Sequence, residues 1–471
     1  MMVLNQHDID EIHTAALRIL EETGFDTNCS DIRELAKSAG FEEKDGAIHV
    51  KSTAVEKALE TVPRSFRLYN PSGKTFKEVG CGDPLFFIGH QAVFVQDYGT
   101  EEIRTGCCED VLRFTQVANA LDDIHGIATP VYPQEVPRHA ALVHAVAWML
   151  QYARKPLFFA PERRDDFKTI CSVAQIVSGM KDIAERPFLI AQPSPISPLF
   201  WVEGSAQCIL YAAKEGIPCV SLTQIIPGMS GPVTLAGSLA LHHAEFLIAL
   251  VVMQLVNPGT PVIYPGAWVT FDMAGGGIDI GAPEKYLLSI SSAQMADFIG
   301  VPCMAAGPDT NAHLLDIQNG IEKAFSGIAD ALAGTDILVN SGMYSNALTV
   351  SLEQLVVDAE IASMIRRMIR GIDVNADTIA FEIINRVGIK GEFLTDYHTA
   401  QHFREELWDT GKSILQRDKV DKWKASGSKS IEERAHKRVE HILADSPIPG
   451  IDKSGQARIQ ELIAAFDTRK Q

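Results

Sequence analysis

Residues 301–360 read VPCMAAGPDTNAHLLDIQNGIEKAFSGIADALAGTDILVNSGMYSNALTVSLEQLVVDAE, and this stretch decides the fold. Two apolar runs, at 301–306 and 336–339, are each followed by a loop of Gly, Asn, Ser and Thr. Each loop leads into an apolar-periodic helix, at 317–332 and 352–369. The order strand, polar loop, helix is thus written twice in tandem. The loops that follow such strands share one mouth, where the polar groups of a site can be held.

The same alternation extends towards the N-terminus. Strands are predicted at residues 86–95, 124–130, 156–160, 187–191, 218–223, 261–265, 302–306 and 336–339. Helical patterns lie between them, at 109–120, 138–152, 167–177, 205–215, 239–256 and 282–298. Eight strands separated by helices predict an α/β fold, a (β/α)8 TIM barrel. The alternative is an open doubly wound sheet, which requires a glycine-rich phosphate fingerprint after an early strand, and the sequence has none.

The segments on either side of the barrel pattern are helical. Residues 1–80 are predicted to form a helical N-terminal cap, with amphipathic helices at 8–23, 30–39 and 52–61. The barrel occupies 81–371. Residues 372–471 are predicted to be a charged helical extension that wraps the barrel or an adjoining subunit, with the last twenty residues peripheral. We therefore expect a homo-oligomer.

Composition excludes several classes of partner. The chain has 42 Lys and Arg against 60 Asp and Glu, a net charge of −18, and no basic cluster interrupts this balance. Nucleic acids and anionic membranes are poor partners for such a surface. The N-terminus lacks the pattern of a signal peptide, and the eight scattered cysteines form no Cys-x-x-Cys pair, which is typical of reduced thiols. We expect a cytoplasmic protein.

Eight segments carry a family resemblance by their shared order. They are HTAALRILEETGF (13–25), FFIGHQAVFVQDYG (86–99), SLTQIIPGMSGPVTLAGSLALHHAEFLIAL (221–250), GAPEKYLLSISSAQMADFIGVPC (281–303), DIQNGIEKA (316–324), GMYSNALTVSLEQLVVDAEI (342–361), HTAQHFREELW (398–408) and IEERAHKRVEHIL (431–443). Taken together, they resemble the trimethylamine methyltransferase family, whose barrel proteins pass a substrate methyl group to a corrinoid-binding partner.

One departure from the family bears on the substrate. Members that use trimethylamine carry pyrrolysine, whereas every residue here is one of the standard twenty; the loop at 307–313 is the best candidate for that position. The resemblance implies a methyltransferase of anaerobic one-carbon metabolism that demethylates a quaternary amine, and glycine betaine is the favoured substrate. The acceptor would be cob(I)alamin on a corrinoid protein, with no permanently bound cofactor. Alternatives are proline betaine, carnitine or butyrobetaine as substrate, or a non-catalytic barrel that binds quaternary amines.

The substrate class guides the choice of site residues. A quaternary ammonium has no N–H to donate, so recognition falls to aromatic faces and nearby polar groups. The candidate substrate-binding residues are Tyr98, Phe200, Trp201, Gln224, Tyr264, Trp268, Asp309 and Ser345. The candidate catalytic residues are Asn311, His313, Tyr344 and Asn346. For most of the rings, core packing is the competing interpretation, and Asp309 also suits a turn after Gly307-Pro308. His90 is either a structural imidazole or a ligand.

The glycine-rich loop MAGGGIDIGAPEK (273–285) is interpreted as a lid that lets the corrinoid approach the mouth. Gly275, Gly276, Gly277 and Gly342 are therefore candidate cofactor-binding positions. The loop lacks the Lys-Ser/Thr ending of a phosphate cradle. No metal site is expected either, because the adjacent His242 and His243 point about 100° apart on a helix.

Overall fold

The computed structural model describes residues 2–100, 102–408, 411 and 413–468, with the backbone alone for Thr75 and Phe76. The strands are β1 (Asp26–Thr27), β2 (Glu42–Lys44), β3 (Ala47–His49), β4 (Phe66–Tyr69), β5 (Thr75–Val79), β6 (Leu85–Ile88), β7 (Phe94–Gln96), β8 (Ile103–Thr105), β9 (Ile127–Ala128), β10 (Leu157–Phe159), β11 (Leu189–Ala191), β12 (Phe200–Trp201), β13 (Cys219–Val220), β14 (Val262–Gly266), β15 (Thr270–Phe271), β16 (Ile278–Asp279), β17 (Cys303–Ala306), β18 (Ile337–Ser341), β19 (Met343–Tyr344) and β20 (Thr349–Val350).

The α-helices are α1 (Gln6–Arg18), α2 (Ser30–Ser38), α3 (Ser52–Thr61), α4 (Cys108–Ala120), α5 (Ala141–Tyr152), α6 (Arg164–Ser178), α7 (Glu203–Lys214), α8 (Leu235–Val256), α9 (Pro283–Ile299), α10 (Ile317–Leu332), α11 (Leu352–Ile369), α12 (Ala376–Ile379), α13 (Phe381–Val387), α14 (Tyr397–Glu406), α15 (Val420–Ala425), α16 (Ile431–Leu443) and α17 (Lys453–Asp467). A π-helical turn (Ile19–Thr23) extends α1, and a 3₁₀ turn (Arg138–Ala140) precedes α5.

Eight parallel strands form the barrel. Their spatial order is β6-β18-β17-β14-β13-β11-β10-β9, and a parallel bridge between Phe87 and Gly126 closes the ring between β6 and β9. Gly126 allows this closure, because a Cβ at that position would lie 1.9 Å from the Phe87 ring. The predicted (β/α)8 barrel is confirmed, and each of its strands overlaps a predicted one. Several predicted strands were longer than the observed ones, and the first, 86–95, contains both β6 and β7.

Helix α8 is mostly buried by its neighbours. It packs against α1, α3 and α7, and every residue from His242 to Gln254 is buried. In the part of the chain that the structure describes, α8 alone has the length and apolar composition of a membrane span, and 83% of its most apolar window is buried within the protein. Apolar residues lie all round this helix because other parts of the protein pack against several of its sides.

The N-terminal region contains the three predicted helices and two β-hairpins that the helical prediction did not include. Strands β2 and β3 pair in register around Asp45 and Gly46, which both adopt positive φ. Asp-Gly flanked by strand residues is a strong signal for such a two-residue turn. Strands β4 and β5 form the second hairpin.

Three further sheets, β1-β12, β15-β16 and a four-stranded one, complete the fold together with the C-terminal helices. A four-stranded sheet, β19-β20-β7-β8, joins the loop after the first barrel strand to the loop after the last one. At the C-terminus, α16 packs on α11 and α4, and α17 packs on α6 and α5. The expectation that the last twenty residues are peripheral is wrong for the described ones, because Ile459 and Phe466 are buried and Asp467 bonds His144 at 2.9 Å. An apolar stripe on α17 explains this docking.

Candidate active site at the barrel mouth

The two loops that follow β17 and β18 lie against each other at the carboxyl end of the barrel. His313 Nδ1 and Ser345 Oγ are 2.6 Å apart. The backbone N–H of Ser345 donates to Ala312 O at 2.9 Å, and that of Asn346 donates to Thr310 O at 3.2 Å. The tandem loops of the sequence therefore form one surface, which brings together His313, Ser345 and Asn346.

The end of β18 and the loop after it have an unusual backbone. Asn340 has a φ of 96°, and the consecutive residues Ser345, Asn346 and Ala347 have φ of 54°, 57° and 59°. Left-handed φ in residues other than glycine costs on the order of 1–3 kcal/mol each and is concentrated at functional sites. The neighbouring Gly342 has a φ of 88°, and its N–H donates to Asp358 Oδ2 at 2.7 Å.

A buried ion pair braces this loop from behind. Lys323 Nζ on α10 lies 2.7 Å from Asp358 Oδ2 on α11, and neither side chain is exposed. Lys323 also donates to Pro308 O at 3.0 Å. Because Asp358 holds the N–H of Gly342, the one ion pair fixes both tandem loops.

A second buried pair reaches the mouth from the preceding unit. Lys285 Nζ on α9 lies 3.1 Å from Asp309 Oδ2, and Asp309 Oδ1 accepts from Asn340 Nδ2 at 2.8 Å. Asp330 lies close behind, where burial raises the pKa of its carboxyl to about 6, against the opposing charge of Lys285. Candidate Asp309 is therefore a fixed, charge-compensated acceptor next to the strained Asn340.

Polar side chains without a protein partner lie just after the barrel strands. Each has a buried N or O atom for which the described part of the chain offers no hydrogen bond: His90, Thr129, Gln192, Ser221, Thr223, Ser341 and Asn346. Buried polar groups are nearly always paired, so a cluster of exceptions calls for a ligand or ordered water. These residues lie at the end of β18 or after β6, β9, β11, β13 and β18, which makes the mouth the candidate site.

Sequence reasoning missed five of these residues: Thr129, Gln192, Ser221, Thr223 and Ser341. The signal was present, since each lies at the end of a predicted strand or within three residues after it. His90 was considered, and its environment is now defined. The ring lies 5.2 Å from that of Phe158, and burial lowers the pKa of His90 to about 4, so the imidazole is neutral at pH 7.

The aromatic candidates fall into separate groups. Tyr264 contacts His243 and Phe246 of α8. Trp268 stacks on His242 of α8 at 4.4 Å and donates to Ser292 of α9 at 2.8 Å. Both rings thus lie on the side of β14 that the helices cover.

The remaining rings have separate surroundings. Phe200 and Trp201 form β12, which pairs with β1 of the N-terminal region, and Trp201 Nε1 is buried without a described partner. Tyr98 stacks on His436 of α16 at 3.7 Å. Tyr344 is buried and donates to Gln96. Gln224, the polar candidate after β13, is exposed.

The glycine-rich loop forms the turn of a hairpin. Strands β15 and β16 pair on either side of Gly275, Gly276 and Gly277, and Gly276 has a φ of 74°. Asn311 anchors this hairpin to the tandem loops, because its Nδ2 donates to Asp279 Oδ1 at 2.5 Å and its Oδ1 accepts from Ile280 N at 2.9 Å. Among the described residues, no group of three or more His, Cys, Asp or Glu is arranged to hold a metal ion.

Comparisons with known proteins agree with this architecture. The family model for trimethylamine methyltransferase (MTTB) matches residues 1–471. The chain is 30% identical over 479 residues to the trimethylamine methyltransferase MttB of Methanosarcina barkeri, covering 98% of this chain and 96% of that protein. It is 28% identical over 468 residues to the glycine betaine methyltransferase of Desulfitobacterium hafniense (strain Y51), again covering 98% and 96%.

A solved structure shares the fold. The monomethylamine methyltransferase MtmB of Methanosarcina barkeri superposes with a TM-score of 0.51 at 11% identity, covering 94% of this chain and 88% of that one. With the closed barrel, its braced mouth loops and a family match along the whole chain, the protein belongs to the trimethylamine methyltransferase family and is a methyltransferase.

Proposed function

We propose that this methyltransferase demethylates a quaternary amine and passes the methyl group to cob(I)alamin held by a corrinoid-binding protein. Glycine betaine is the favoured substrate. The observation that carries the proposal is the set of buried, unpartnered polar side chains at the strand ends, Ser221 and Thr223 among them. A small zwitterion supplies what these side chains lack, because its carboxylate accepts from hydroxyl donors.

The charge state of the mouth suits the cationic end of such a substrate. Neutral His90 adds no positive charge at pH 7, and the charge of Lys285 is compensated by Asp309. The paired Lys285 and Asp309 therefore leave no net positive charge beside Asn340 that would repel an ammonium. Asn311, His313, Tyr344 and Asn346 are the proposed catalytic residues, and we assign them the task of orienting the substrate at the tandem loops.

The chemistry explains why no special amino acid is required. A tertiary amine is a poor methyl donor, whereas a quaternary nitrogen leaves as a neutral amine. In the transfer, the C–N bond of one methyl group breaks, its electron pair stays on nitrogen, and a bond forms between that carbon and the cobalt of the acceptor. The task of this chain is to orient the N–CH3 bond and exclude water.

An apolar collar around the mouth suits the approach of the corrinoid protein. We define the apolar collar as the exposed side chains Val93, Ile196, Met229, Met273, Leu314 and Leu348, which come from loops after six different barrel strands. Exposed apolar groups concentrated around one opening are typical of an interaction site. Gly275, Gly276, Gly277 and Gly342 lie in or beside these loops and are the proposed corrinoid-facing positions. This partnership also implies a cytoplasmic location.

The decisive experiment mixes the purified protein with cob(I)alamin and a panel of glycine betaine, proline betaine, carnitine, butyrobetaine and trimethylamine. We expect the absorption spectrum to change to that of methylcobalamin with glycine betaine and to remain unchanged with trimethylamine. Turnover of another betaine alone would reassign the substrate. Unchanged spectra with every amine would contradict the proposal.

A second experiment tests the apolar collar separately from the substrate site. Met229→Glu with Met273→Glu should reduce methyl transfer to the corrinoid protein at least tenfold while the affinity for glycine betaine, measured by calorimetry, stays unchanged. Leu255→Glu is the control, because Leu255 is exposed at the C-terminal end of α8 and not in a mouth loop. Equal effects of both changes would remove the collar from the proposal.

A further inference from the structure

A helical excursion leaves the barrel after α11 and returns to the same place. We call residues 372–407 the arm; it contains α12, α13 and α14. The guanidinium of Arg367 donates to Gly371 O at 3.0 Å and to Glu406 O at 2.6 Å, so one side chain holds both ends of the arm. Trp408 then donates to Ser363 Oγ at 3.0 Å. The arm is therefore a closed loop fixed at its base.

The arm has no core of its own. All of its residues are described, and none of them is buried. Eleven of its large apolar side chains are exposed, including Ile389 at 96%, Leu394 at 81%, Tyr397 at 73% and Phe381 at 63%. Polar contacts nevertheless give it a defined shape, with Arg386 2.7 Å from Asp396 and His402 3.5 Å from Asp377.

So much exposed apolar surface indicates that the arm is buried against a partner. Helices α13 and α14 have 7 and 10 residues, and isolated helices of this length are marginal in water. A buried aromatic side chain removes about 150–250 Å² from solvent, so eleven apolar side chains amount to on the order of 1,000 Å². Monomers rarely expose apolar patches beyond about 300–600 Å², whereas a stable interface buries about 800 Å² per partner.

We propose that the arm is an interface with a second copy of this chain. The location of its base favours a second copy over the corrinoid protein. Helix α11 begins beside the mouth, where Ser351 N donates to Gly342 O, and its 18 residues carry the chain about 27 Å towards the opposite end of the barrel. A corrinoid must reach the mouth, so its carrier docks at the end away from the arm's base. A second copy presents the same patch, as two-fold symmetry requires.

The test measures the mass of the full-length protein by sedimentation velocity over about a hundredfold range of concentration. We expect the wild type to be an oligomer and Phe381→Glu with Tyr397→Glu to be monomeric. The matched control is Phe325→Glu, because Phe325 on α10 is also 63% exposed. That change should leave the oligomer intact. Methyl transfer per chain should fall less than twofold in the arm variant, which keeps its mouth residues.

Hydrogen exchange on the wild type provides a measurement that does not depend on variants. Amides of α14 should be protected in concentrated protein and lose that protection on dilution. The proposal is overturned if the wild type has the 51.5 kDa mass of one chain at every concentration. It is also overturned if the arm variant stays oligomeric, or if the corrinoid protein alone protects the arm. These results do not depend on which amine is demethylated.

Discussion

Lys285 Nζ lies 3.1 Å from Asp309 Oδ2, and neither side chain is more than 2% exposed. The lysine belongs to the helix that follows β14, whereas the aspartate belongs to the loop that follows β17. A candidate substrate-binding acid is thus fixed by the unit before it. The position of the mouth loop therefore depends on how α9 packs, and this dependence can be measured.

Replacing Lys285 with methionine should destabilise the protein by about 3–5 kcal/mol, because it leaves the Asp309 carboxylate buried without its counter-charge. Urea unfolding at pH 7 measures the change. The double change Lys285→Met with Asp309→Asn should recover most of the loss, since an uncharged amide replaces the carboxylate. The control is Lys422→Met, which removes an exposed pair with Asp418 and should cost at most about 1 kcal/mol. Equal losses at both lysines would contradict this account.

Gly342→Ala should cost on the order of 1–3 kcal/mol, since the position needs a φ of 88° and a new Cβ would lie 3.1 Å from Leu355 Cβ. Gly276→Ala separates the two causes, because Gly276 has a φ of 74° and no atom within 4 Å of its Cβ position. Chemical denaturation should show a larger loss for Gly342. Equal losses would mean that crowding against α11 is relieved by a shift of the loop.

Thr223→Val and Ser221→Ala should weaken binding of glycine betaine at least fivefold in calorimetric titrations while leaving thermal stability unchanged or higher. Both hydroxyls lack a described protein partner, so their removal leaves no protein group unpaired. Thr115→Val is the matched control. Its hydroxyl donates to Val111 O at 2.7 Å within α4, and its loss should not change affinity. Lower stability with unchanged affinity at Ser221 and Thr223 would make them structural residues.

Acid should destabilise the protein partly through His242. Burial lowers the pKa of this imidazole to about 3, against about 6.5 in the unfolded chain. Below pH 6.5 the unfolded state therefore binds the extra proton, and the free energy of unfolding falls as pH decreases towards about 3. The share of one histidine is at most about 1.4 kcal/mol per pH unit.

His242→Phe should reduce this dependence and cost little at pH 7, because both ring nitrogens lack a described partner and the ring stacks on Trp268. Urea unfolding at pH 7, 6 and 5 gives the slope for each variant. His7→Phe is the control, since His7 is exposed on α1 and should leave the slope as it is. Identical slopes for wild type and His242→Phe would rule out this assignment.

The barrel could be predicted because each unit carries its own local signals. An apolar run, a polar loop and a periodic helix recur eight times. Eight such units in succession predict a closed barrel of parallel strands. The tandem loops at Gly307 and Asn340 could be placed for the same reason. Contacts between distant parts of the chain have no local sequence signal. The pairing of β12 with β1 and the docking of α17 are examples.

The site residues were harder to predict than the fold. The sequence contains many aromatic residues, and it rarely shows whether a ring faces the mouth or the surrounding helices. Tyr264 and Trp268 are four positions apart, so they share one face of the extended chain, and that face meets α8. The prediction favoured aromatic rings because these can hold an ammonium. It did not include Thr129 and Ser221, which stand out only because their buried hydroxyls have no hydrogen-bond partner in the described part of the chain.

The pairing of β6 with β18 has a consequence for biosynthesis. Leu85 and Ile337, which lie side by side in the barrel, are 252 positions apart in the chain. During translation, the first strand leaves the ribosome long before its neighbour exists, so one edge of the growing sheet stays unpaired. Open edges invite association with other nascent chains. Prematurely terminated products should therefore aggregate, and cells that make this enzyme should need chaperones to shield it until synthesis ends.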